Sequence, residues 1–76
     1  MRVQLAPGIT ADPKVAFGKP VVEGTRVPVE IVVGKLSGGM TIDEVMDDYV
    51  LTRDDVLAAL SYAADLIASE RIRIRA

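Results

Sequence analysis

Apolar residues recur along this chain with two different periods, and the switch between them divides it. Arg2-Val3-Gln4-Leu5 alternates with period two, which predicts a short strand, and Pro7-Gly8 then turns the chain. Ile9-Thr10-Ala11-Asp12-Pro13 reads as an extended piece closed by an Asp-Pro turn. Lys14-Val15-Ala16-Phe17 follows, and Phe17, the single Phe, is expected to anchor the core. The stretch Gly18-Lys19-Pro20-Val21-Val22-Glu23-Gly24-Thr25-Arg26-Val27-Pro28-Val29 comes next. Pro20 and Pro28 fix φ and push Lys19 and Val27 toward extended backbone, while Gly18 and Gly24 allow positive φ or close approach. The prediction is a rigid extended arm with a tight turn at Glu23-Gly24-Thr25, presenting Lys19 and Arg26.

Beyond Pro28 the period becomes helical. Val29, Ile31, Val32, Val33 and Leu36 form a broad apolar side ending at Ser37-Gly38-Gly39; Glu30 and Lys35 suit the helix dipole, and a glycine suits the C-terminal cap. The β-branched residues leave a strand as the alternative for the first half of this segment. Thr41-Ile42-Asp43-Glu44 is a capping box, with Met40 and Val45 placed as a hydrophobic staple, and Ile42, Val45, Met46 and Tyr49 mark one face of a second helix. Thr52-Arg53-Asp54-Asp55 repeats the device with Leu51 and Val56. A third helix is predicted from Arg53 to about Ser69, burying Val56, Leu57, Leu60, Ala63, Ala64 and Ile67. Ala58, Ala59, Ala63 and Ala64 let another helix approach closely. Arg71-Ile72-Arg73-Ile74-Arg75 alternates cation with isoleucine, which suits an edge strand, a helix continuation or a tail that orders on binding, and the tail is the favoured reading.

These elements predict a mainly α fold, a three-helix helix-turn-helix bundle of homeodomain-like or winged-helix-like kind with a short N-terminal β element. They form a single domain over residues 1–76, divided into an extended β arm at 1–28, a three-helix body at 29–69 and a basic tail at 70–76. At 76 residues a single core gives modest stability, so a homo-oligomer is expected. No apolar run approaches the length of a membrane span, and the absence of Cys fits a reducing compartment, so a cytoplasmic protein is expected.

The net charge of −2 conceals an asymmetry: residues 1–39 hold five cations and three anions, residues 40–70 one cation and eight anions, and residues 71–76 three arginines. Two basic ends flank an acidic body.

With no His and no Cys, nucleophilic and general-base chemistry near neutral pH has little to work with, and the chain is not expected to be an enzyme. Asp43, Glu44, Asp47 and Asp48 do not follow an EF-hand spacing and read as a solvated helix face; no metal or cofactor is expected. Gly18-Lys19-Pro20 lacks the upstream Gly and the Ser or Thr of a phosphate loop. The second and third helices match a helix-turn-helix pair, yet the third begins with Asp54 and Asp55, which oppose phosphate contact. Nucleic-acid or partner contact is therefore expected from Lys14, Lys19, Arg26 and Lys35, from Arg53, and from the terminal Arg71, Arg73 and Arg75.

The run from Gly18-Lys19-Pro20 through Gly24-Thr25-Arg26-Val27-Pro28-Val29 carries a further signal. With Gly39-Met40-Thr41-Ile42-Asp43-Glu44-Val45, Asp48-Tyr49 and Asp55 to Ala64, it resembles the bacterial and archaeal domain-of-unknown-function family 433 over roughly residues 9–68. The sequence departs from that pattern at Glu23, where a cation is common. The resemblance implies a helix-turn-helix protein with a short N-terminal β element. It also implies a VapB-type antitoxin of a type II toxin–antitoxin pair, which binds and inhibits a PIN-like ribonuclease toxin encoded by a neighbouring gene, with autoregulatory binding of operator DNA as a second role. The alternative is a homo-oligomeric protein-interaction module without nucleic-acid binding.

Overall fold

The computed structural model describes residues 1–72. Its element order is β1 (Val3–Ala6), β2 (Ile9–Ala11), a 3-10 turn (Ala16–Gly18), β3 (Val21–Val22), α1 (Val29–Ser37), α2 (Ile42–Tyr49) and α3 (Arg53–Ser69). The three strands form one antiparallel sheet in the order β1-β2-β3. Pro7 and Gly8 join the first two; Gly8 takes φ of +78°, and Pro followed by a positive-φ Gly is the signature of a type II turn. The register pairs Gln4 with Thr10 and Ala6 with Ile9, with an irregularity between the two pairs, and then Ile9 with Val22 and Thr10 with Val21.

The extended arm thus pairs with its own chain. Around Gly24, at φ +79°, Thr25 N–H donates to Val22 O at 3.0 Å, Thr25 Oγ1 donates to the same oxygen at 2.8 Å, and Val27 N–H donates to Thr25 Oγ1 at 3.0 Å. Val22 N–H reaches Val27 O at 3.0 Å and Val29 N–H reaches Pro20 O at 3.0 Å, so the segment doubles back and runs straight into α1. Pro28 ends the arm as the N-cap of α1 with extended backbone, and no strand forms in the first half of that helix.

One apolar cluster joins sheet and helices: Ile9 and Val22 from the strands, Val29 and Val32 from α1, Val45 from α2, Leu51 from the connection, and Val56 and Ala59 from α3. A two- or three-stranded sheet this short is marginal alone, so its stability comes from packing on α3, which contacts both β2 and β3. Gly8 makes the closest approach: a Cβ there would lie 3.0 Å from the Ala58 Cβ.

Two expectations about the core are corrected. Phe17 is not a core anchor; it is 99% exposed. The loop that carries it closes on itself through Lys14 N–H to Asp12 Oδ1 at 2.9 Å, Val15 N–H to Asp12 O at 2.9 Å and Gly18 N–H to Val15 O at 3.0 Å, which leaves the ring at the tip. On α3, Val56 is buried and Leu60 and Ala63 are partly so, but Leu57, Ala64 and Ile67 are exposed; Ala59 and Tyr62 pack against the core instead. Apolar residues occupy most sides of α3, so the face that becomes buried is the one its neighbours reach.

The arrangement is three helices and an N-terminal three-stranded antiparallel sheet, roughly half helical. Among the described residues no helix is long and apolar enough to cross a membrane. Arg73 and Arg75 lie outside the described residues, so the reading of residues 71–75 as one tail extends past them.

Candidate functional site

Two local devices shape the α2–α3 pair. Thr41 Oγ1 accepts Glu44 N–H at 3.1 Å while Glu44 Oε1 accepts Thr41 N–H at 2.9 Å. The Thr41 backbone N–H, and to a lesser degree the Thr41 hydroxyl, stabilise the ionised Glu44 carboxylate and hold its pKa below its ordinary value. Thr52 and Asp55 repeat the exchange at 3.1 and 3.0 Å. Between them Val50 caps α2 at φ +55°, a left-handed conformation unusual for a β-branched residue, while Leu51 N–H bonds to Met46 O at 3.0 Å and the Leu51 side chain enters the core. The short connection thus trades strain at an exposed Val for burial of its neighbour.

The consequence for nucleic acid is specific. The start of α3, which a helix-turn-helix would aim at DNA, has Asp55 engaged by its own cap and Asp54 exposed beside it. Asp43, Asp47 and Asp48 are exposed on α2, and among the described residues no cluster of three or more His, Cys, Asp or Glu is placed to hold a metal ion.

The arm forms the other candidate surface. Lys19 Nζ forms an ion pair with Glu30 Oε1 that ties the arm to the first turn of α1. Gln4 Nε2 donates to Glu23 Oε1 at 2.8 Å, which ties β1 to the turn of the arm. Beside the ion pair runs an apolar groove of about 420 Å³ between α1 and the C-terminal half of α3, lined by Pro20, Val29, Val33, Tyr62, Ala63 and Leu66.

The sequence-predicted cations come from separate elements. Lys14 lies in the loop before the 3-10 turn, Lys19 and Arg26 in the arm, Lys35 in the last turn of α1, Arg53 at the start of α3 and Arg71 just past its end; all are exposed. Lys19 alone of these is in an ion pair with a side chain among the described residues. Sequence reasoning missed the exposed Phe17 and the groove. The signal for Phe17 was present in its flanks: Asp12-Pro13 and Gly18-Lys19-Pro20 are turn formers on both sides, which places the ring in a short loop and not on a strand or helix face.

Comparisons with known proteins agree with this architecture. A Mycobacterium tuberculosis protein named "Putative antitoxin VapB45" is 39% identical over 56 residues, which span 74% of this chain and 23% of that protein. The crystal structure of Rv2018 from the same species matches with a TM-score of 0.63 and 40% identity, covering 68% of this chain and 24% of that one. The chain therefore spans about a quarter of the length of each relative. A family model matches residues 9–63, most of the sheet and the helical body, and the chain belongs to the family described as protein of unknown function (DUF433).

Proposed function

We propose that this chain is the antitoxin of a type II toxin–antitoxin pair and is not an enzyme. Its role is to bind and inhibit a PIN-like ribonuclease toxin encoded by a neighbouring gene, as a homodimer in the cytoplasm. The observation that carries the reading is the 39% identity to a relative named as an antitoxin, over 74% of the chain. In this reading the chain works as one domain: the arm at 1–28 docks on the body at 29–69, and residues 70–76 add a basic contact segment.

Autoregulatory binding of operator DNA is the second part of the proposal, and the distribution of charge supports one location for it. Each phosphate contact needs a cation to displace counterions, and the start of α3 offers Arg53 against Asp54 and Asp55. DNA contact is therefore assigned first to Arg26, Lys35 and the terminal arginines, and then to Lys14 and Lys19, with Lys19 contributing less because Glu30 offsets its charge. The competing reading is a protein-interaction module without nucleic-acid binding, favoured by the same acidic helix start.

Co-expression with the neighbouring open reading frame, followed by size measurement of the eluted complex, tests the first part. A stable complex in which nuclease activity is silenced is the expected result; an isolated chain with no co-eluting partner sinks the reading. A salt-dependent gel shift on the upstream DNA, weakened by replacing Arg26 and Lys35 with Ala, is expected for the second part. No shift at low salt leaves the interaction-module reading in its place.

A further inference from the structure

The most exposed aromatic side chain and the apolar groove are neighbours on the chain. Phe17 is 99% exposed, and Lys19 and Pro20, just after it, line the groove. The backbone that carries the ring is fixed. Ala16, Phe17 and Gly18 take φ of +48°, +57° and +81°, and Lys19 N–H closes the turn on Ala16 O at 3.1 Å. Consecutive left-handed residues of which two are not Gly are uncommon, and such strain persists where surrounding bonds over-determine it. An exposed aromatic knob carried on a fixed backbone, where only the side-chain torsions are lost on binding, has the character of an interface anchor.

The groove has the dimensions of a matching hole. An enclosed apolar cavity of about 150 Å³ already admits benzene, and the groove holds about 420 Å³ with Tyr62, Ala63 and Leu66 on one wall and Pro20, Val29 and Val33 on the other. The charges at its mouth, Lys19 and Glu30, already pair with each other, so an entering ring takes a partner from neither. Glu70, at the C-terminal end of α3, also lines the groove, and the helix dipole disfavours an anion there. Lys14, in the loop that carries Phe17, supplies the complementary charge.

We propose that Phe17 of one copy seats in the groove of a second copy, and reciprocally, with Lys14 facing Glu70 across the contact. The inference rests on the homodimer reading above and supplies its interface. A patch that carries both the knob and the hole is self-complementary about a two-fold axis, which closes the assembly at two copies. Two Phe rings bury about 150–250 Å² each, so with the groove surface they cover the interface totals roughly 600–1,000 Å². That lies below the roughly 1,200–2,000 Å² of stable specific interfaces, in the range of weak and transient contacts, so the dimer is weak and concentration-dependent.

Sedimentation of the full chain across the micromolar to millimolar range tests this. The expected result is a monomer–dimer equilibrium that Phe17→Ala weakens by about tenfold or more, with the circular dichroism spectrum unchanged because the ring touches no core residue. The chain has no Cys, so a Phe17→Cys chain mixed with a Leu66→Cys chain should give the mixed disulfide under oxidation, a readout independent of affinity. A wild-type dimer that Phe17→Ala leaves intact overturns the Phe17 interface while sparing the homodimer. A wild type that stays monomeric throughout overturns both, and the toxin-binding reading is judged separately by co-expression.

Discussion

Replacing Gly8 by Ala tests how tightly the sheet is docked on α3. Two costs arise. Gly8 sits at φ +78°, where an L side chain pays about 1–2 kcal/mol. The new Cβ would also lie 3.0 Å from the Ala58 Cβ, which is fixed to the helix backbone and cannot rotate away, so the turn and α3 must move apart by a few tenths of an ångström. Overpacking of that kind costs typically about 1–3 kcal/mol. Gly24→Ala is the control: Gly24 has nearly the same φ, +79°, and nothing within 4 Å of its built Cβ. It carries the conformational cost alone, and the loss of unfolded-chain entropy is common to both substitutions and cancels in the difference. The expected destabilisation is about 1 kcal/mol for Gly24→Ala and about 2–4 kcal/mol for Gly8→Ala. Against a total stability of about 4–11 kcal/mol for a chain this size, the second is a large loss. In thermal melts followed by helical circular dichroism, Gly24→Ala should lower the midpoint by about 4–8 °C and Gly8→Ala by a further similar step or more. Ala58→Gly should recover part of the Gly8→Ala loss despite its own helix-propensity cost of about 1 kcal/mol. Equal losses for the two glycines would refute the close docking of the β1–β2 turn on α3.

Other perturbations separate local from tertiary contributions. Thr52→Ala removes the cap of α3 and should cost about 1 kcal/mol in urea denaturation, with the m-value unchanged. Glu44 has a folded pKa below its unfolded value, so its stabilising contribution is complete above the unfolded carboxylate pKa and is lost as pH falls through the lower folded one; Thr41→Ala keeps the backbone N–H donor and should flatten only part of that acid limb of the stability profile. Phe17→Gly should leave the monomer as stable or raise its stability by up to about 1 kcal/mol in the same melts, because it removes left-handed strain and no buried contact. Lys19→Ala should cost no more than about 1 kcal/mol, since both partners of its ion pair are more than half exposed and screened by solvent.

What the sequence by itself determined is what neighbouring residues decide. Thr41 with Glu44 and Thr52 with Asp55 set two helix starts, because the donors they satisfy lie within the same turn. Pro7-Gly8, Asp12-Pro13 and Glu23-Gly24-Thr25 set three turns for the same reason: φ limits and side-chain bonds act over two or three residues. The resemblance to the family was legible as well, since it rests on short local runs: Gly18-Lys19-Pro20 through Val29, Gly39 to Val45, Asp48-Tyr49 and Asp55 to Ala64. Tertiary structure decided the rest. With apolar residues on most sides, α3 could have buried Leu57 and Ile67; the sheet and α1 meet it on the side of Val56, Ala59 and Tyr62, and past Ala63 the helix runs beyond the core cluster. The ion pair of Lys19 with Glu30 and the groove beside it exist because the arm folds back onto α1, a contact between segments whose spacing carries no periodic signal. Phe17 shows the limit most clearly. Its hydrophobicity argued for burial, but burial requires a vacancy among packed neighbours, and the core closes with Val, Ile, Leu and Ala while the loop's own hydrogen bonds hold the ring outside.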